Sequence, residues 1–175
     1  AAMLFLIGNL LWAFGIPLSE VVLFWASFVM LTIFGERLEL TRMMPISKFQ
    51  FFLVKTFIVF LVAGNLLSLV SITLGSYIYT LSLIALTLWF AKNDIARRTI
   101  KLQGQPKFTA VGLFFGYFWS IVGALVLLIG GFQPSGFLYD AFLHSIFLGF
   151  AFSMIFVHAP IVFPAVFNAR LFFSK

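Results

Sequence analysis

Apolar stretches about as long as a bilayer is thick recur along this chain. Its cationic residues fall between them, Lys55 excepted. A hydrocarbon layer has no water to satisfy backbone amides, and about 20 apolar residues in a helix cross it. The spacing therefore predicts an all-α polytopic transmembrane helix bundle of about six spans, near 1–16, 19–35, 49–70, 75–91, 109–131 and 138–159. Composition excludes the main alternative. The chain is 63% hydrophobic, 9% charged and carries 26 phenylalanines, whereas soluble domains hold about 25% charged residues. It opens inside an apolar stretch and closes on another, so it reads as a fragment of a larger polytopic membrane protein, with further spans as partners.

The cations set an orientation. Arg37, Arg42 and Lys48 follow the second span, Lys92, Arg97, Arg98, Lys101 and Lys107 the fourth, and Arg170 and Lys175 the sixth. The connectors near 17–19, 71–75 and 132–138 hold no Lys or Arg. Such an imbalance places both ends of the chain in the cytoplasm and the short loops outside, in a plasma membrane. Lys55, a turn or two inside the third span, can snorkel to the cytoplasmic surface. The charge of +6 is thus expected to face anionic lipid, with no nucleic acid as partner. Trp12, Tyr77, Tyr79 and Tyr139 fall near the outer boundary and Trp89 near the inner one, as interfacial belts would have them.

Local signals refine the spans. Ser19 is placed as the N-cap of the second, with Glu20 favourable to its dipole. Pro160 and Pro164 should interrupt the sixth. Gly112, Gly116, Ser120 and Ala124 recur every four residues in the fifth span, and Ala141, Ser145, Gly149 and Ser153 in the sixth. Such stripes let helices approach closely, against a neighbour in the same chain or in an oligomer.

Chemistry has few candidates. With no cysteine there is neither a disulfide nor a thiolate metal site. His144 and His158, the only histidines, lie on the sixth span. Fourteen residues of α-helix separate them by about 21 Å and leave them within about 40° of one face. Each is a candidate ligand for haem iron or a transition metal. The competing reading has His144 bonded near Asp140 and His158 donating to a carbonyl freed by Pro160. In GERLELTR, Glu39 and Arg42 can pair at i,i+3, while Arg37 and Arg42 are candidate contacts for a propionate or anionic headgroup. Glu36 is either part of that ion-pair knot or a proton-entry carboxylate. Asn65 and Ser68 form an intramembrane polar patch that ties helices together or lines a solute path. Asp94, with Arg97 and Arg98, reads as a solvated connector.

His144, Gly149, Met154 and His158, within about 15 positions, resemble the histidine-bearing helices of NnrS-like proteins. These are polytopic bacterial membrane proteins related to the haem-copper oxidase group and linked to haem and nitric-oxide stress. The resemblance implies a bacterial inner membrane and haem or metal ligation by His144 and His158. The residues alone leave open a small-solute transporter or channel, or a non-catalytic structural subunit.

Overall fold

A chain this apolar satisfies its backbone most simply within helices, and a computed structural model, which describes residues 1–42 and 44–167, has no strand among them. The elements are α1 (Ala2–Ala13), α2 (Leu18–Thr41), α3 (Lys48–Ser68), α4 (Ile72–Asn93), the short α5 (Ala96–Thr99) and α6 (Gln105–Gly130). A last helical run follows: α7 (Phe137–Leu143), a π-helical stretch (His144–Ala151) and α8 (Phe152–Phe167). Among the described residues, five helical segments are long and apolar enough to cross a membrane: α2, α3, α4, α6 and Phe137–Pro160. The first predicted span is shorter, the 12-residue α1. Arg170 and Lys175 lie outside the described residues.

Four findings correct the sequence reading. α2 begins at Leu18 with Pro17 as N-cap, so Ser19 is already helical and caps nothing. Proline's fixed φ and missing N–H suit that boundary. The same helix continues past the predicted end at 35 to Thr41, because Phe34, Arg37 and Thr41 carry its buried face two turns further. Tyr79 belongs to the core rather than to an outer belt and is fully buried. Finally, α8 passes through Pro160 and Pro164. Pro164 cannot bond the carbonyl of residue 160, and Gln105 Nε2 donates to that oxygen at 3.4 Å.

α3 packs on α4, and α6 packs on α4 and on the last run. Glycine sets these approaches. A Cβ on Gly64 would overlap the Tyr79 backbone, and one on Gly75 the Ser68 backbone, so α3 and α4 touch main chain to main chain. Gly112 faces Val157, Gly116 faces Met154 and Ser153, and Gly149 faces the Trp119 ring. Both small-residue stripes therefore meet inside this chain, α6 against the final run. Hydroxyl and amide bonds pin the helices further: Asn65 Nδ2 donates to Ser27 Oγ at 2.6 Å, and the Thr87 and Ser120 hydroxyls lie 2.9 Å apart. Both pairs are buried.

Gly64→Ala and Gly75→Ala should each lower stability by about 1–3 kcal/mol, because backbone atoms cannot yield to the added methyl. Gly35→Ala, with open space around its Cβ, should raise it by about 0.4–1 kcal/mol. Unfolding of the purified protein in detergent measures all three; equal effects at the three positions would contradict this packing.

Candidate functional site

Three helices carry core residues at alternating spacings of three and four. In α2 the row is Leu23, Ser27, Met30, Phe34, Arg37 and Thr41; in α6 it is Ala110, Leu113, Tyr117, Ser120, Ala124 and Leu127, all buried. In α4 it is Tyr79, Leu83, Leu86 and Phe90, leading to Asp94 at the helix end. Such rows point at neighbouring helices. Each of the three includes one strongly polar residue, and these meet.

Arg37 Nε donates to Asp94 Oδ2 at 2.9 Å and Nη2 to Oδ1 at 2.8 Å, a two-pronged ion pair. Tyr117 Oη donates to Asp94 Oδ2 at 2.6 Å, and the Ala96 backbone N–H donates to Oδ1 at 2.8 Å. Asp94 is thus the C-cap residue of α4, the turn that opens α5, and the junction of α2, α4 and α6. Arg37 is 4% exposed and Asp94 1%, so Asp94 is not the solvated connector residue expected, and Arg37 is buried against it. Phe34 stacks on Phe90 at 4.7 Å and lies 5.2 Å from Phe150 and 6.4 Å from Tyr117, so aromatic rings close the inner side.

A carboxylate has about four acceptor positions, and here four donors fill them. Both Asp94 oxygens are therefore fully engaged by the three elements that meet there. Desolvation of such a pair is offset only when its polar atoms are met, and here both carboxylate oxygens accept two bonds each. The arrangement is a three-helix clamp. Sequence reasoning missed it because it weighed Arg37 and Asp94 by their connectors. The available signal was phase: Arg37 continues the Met30–Phe34 row, and Asp94 follows Leu86–Phe90 at helical spacing.

The histidines lie elsewhere. His144 Nδ1 bonds the Asp140 carbonyl at 2.7 Å, and His158 Nδ1 bonds the Met154 carbonyl at 2.5 Å. A carbonyl only accepts, so Nδ1 carries the hydrogen in both rings and a neutral ring keeps Nε2 as a free acceptor. The partner of His158 is the carbonyl one turn back, not the one released by Pro160. The π-helical stretch begins at His144 and winds more slowly than the α-helix assumed above, which changes the phase between the rings. Each lines a different groove. His144 lies with Phe115, Trp119 and Leu148 beside a groove of about 300 Å³. His158 lies with Ile33, Glu36, Met154 and Phe163 beside one of about 370 Å³.

The other predicted residues also disperse. Arg42 pairs with Glu39 at 3.0 Å on the exposed surface, and Glu36 lies at the His158 groove. Asn65 and Ser68 are buried; Asn65 binds Ser27, and the Ser68 hydroxyl donates to the Asn65 carbonyl at 2.7 Å. α3 packs on α4 and α2 rather than on the histidine-bearing run. Among the described residues no group of three or more His, Cys, Asp or Glu gathers that could hold a metal.

Over residues 1–175 the sequence matches the family described as "Domain of unknown function (DUF8744)". The chain belongs to that family. No curated protein and no solved structure matches it.

Asp94→Ala should cost about 3–5 kcal/mol by leaving Arg37 buried and unmatched, whereas Arg37→Leu with Asp94→Leu should recover most of that loss. Tyr117→Phe should cost about 1.5–3 kcal/mol. Arg42→Gln, at the exposed pair, should cost under about 1 kcal/mol. Detergent unfolding of the variants ranks the four; additive losses in the double Leu variant would argue against the clamp.

Proposed function

We propose that this is an integral plasma-membrane protein, its cation-rich end in the cytoplasm, carrying haem on the imidazoles of its last helical run. Membrane residence is supported by the five long apolar segments and by an outer surface rich in phenylalanine, including Phe52, Phe60, Phe118 and Phe156. The orientation is supported by the cations. Arg37, Lys92, Arg97 and Arg98 gather at the end where α2 and α4 finish, while the connector at 132–136 carries none. By the same rule that connector faces out.

The observation that carries the haem reading is the state of the two rings. Both commit Nδ1 to their own helix, which fixes the tautomer and leaves Nε2 as an acceptor, and each residue lines a groove. The donor set discriminates among metals. A bare ion needs three or more protein ligands, which the described residues do not gather. Haem would need only an imidazole from the protein, which His158 or His144 could supply in its groove. When bound, haem supplies electron-transfer or diatomic-gas chemistry. This chain would hold the group through a histidine, with Phe163 and Ile33 or Phe115 and Trp119 walling the groove. A π-helical turn starting at His144 agrees with that role, since such turns often mark functional sites.

A structural subunit is the second reading, favoured by the polar interior. Asn65, Thr87, Ser120 and the Arg37–Asp94–Tyr117 clamp all tie helix to helix. The same burial weighs against a solute path through Asn65 and Ser68.

Visible absorption of the protein purified from haem-replete cells separates the two. A Soret band should appear, and His144→Ala and His158→Ala should each remove one site, with the double variant colourless. A colourless wild-type protein that folds normally would leave the structural reading standing.

A further inference from the structure

Beside the clamp, on the same cationic end, a cavity of about 270 Å³ opens between the α2–α3 connector and the α4–α5 junction. Lys92, Asn93, Arg97 and Arg98 line one side, and Pro45 and Ile46 the other. Asp94 also borders it, but both its oxygens are taken by Arg37, Tyr117 and the Ala96 amide, so it does not neutralise the three cations. Among the described residues no carboxylate pairs with Lys92, Arg97 or Arg98. Arg97 is positioned as well as charged: its Nη1 donates to the Lys92 carbonyl at 3.1 Å, leaving the rest of the guanidinium fork uncommitted.

We propose that this cavity binds a phosphate group, carried by an anionic phospholipid or free in solution. Two guanidinium groups and an ammonium around one small volume match the charge and the forked acceptor geometry of a phosphate. Basic pockets on the cytoplasmic side of helical membrane proteins take anionic headgroups in this way. The wall of Pro45 and Ile46 would lie against the glycerol of a lipid, whereas a free phosphate would use only the cationic side. A bound phosphate would hold the α2–α3 connector to the α4–α5 junction, next to the clamp that joins the same two helices.

The test uses the purified full chain in phosphatidylcholine nanodiscs, titrated calorimetrically with dihexanoyl phosphatidylglycerol and, separately, with inorganic phosphate. At least one probe should saturate at one per chain. Affinity should fall about tenfold or more in Arg97→Gln/Arg98→Gln and stay unchanged in Lys55→Gln, an exposed cation on α3. Binding of the phosphatidylglycerol alone assigns the site to a lipid, and equal binding of both assigns it to the anion. If the double Arg variant does not fold, Lys92→Gln carries the same expectation. Saturation by neither probe overturns the proposal, as does wild-type affinity in the cavity variants or an equal loss in Lys55→Gln.

Discussion

The structure depends on a buried ion pair. Arg37 and Asp94 are worth having in an apolar interior only because Tyr117 and the Ala96 amide complete the carboxylate's shell. That requirement draws α2, α4 and α6 to one point. It sets the end of α4, starts α5, and fixes the end of α2 two turns beyond its apolar stretch. Away from this point the helices are held by weaker and more diffuse means: glycine contacts, single hydroxyl bonds and stacked aromatic rings. The clamp supplies direction where those contacts supply only proximity.

Much of the architecture was legible in the chain. Apolar length and the grouping of cations predicted helices and their alternation, because a backbone without water leaves few other options. The small-residue stripes predicted close approach, and Gly112, Gly116 and Gly149 make it. Helix ends were less legible. Ser19 looks like a cap but follows a proline that already fixes the start, and Pro160 and Pro164 look like terminators although a neighbouring Gln105 meets one of the orphaned carbonyls. Those outcomes rest on tertiary neighbours that local spacing does not reveal.

The candidate site was the least legible part. Reading charges by connector put Asp94 in solvent and gave Arg37 to an external anion, although 57 residues of chain fold back to join them. Their phase within the buried rows carried the information, but only a second helix in the same phase gives it meaning. The histidines were conspicuous by rarity, yet their 14-residue separation was converted to an angle by assuming an unbroken α-helix. The π-helical stretch from His144 to Ala151 alters that angle, and the rings line separate grooves.

The phosphate cavity and the two histidine grooves take their meaning from which end of the bundle meets the cytoplasm. The chain has no cysteine, so single cysteines report position without background. Lys101→Cys and Ser135→Cys, both at exposed sites, can be treated in intact cells with a membrane-impermeant maleimide. The account predicts labelling at position 135 in intact cells and at position 101 only after permeabilisation. The reverse pattern, or equal labelling of both in intact cells, would contradict it.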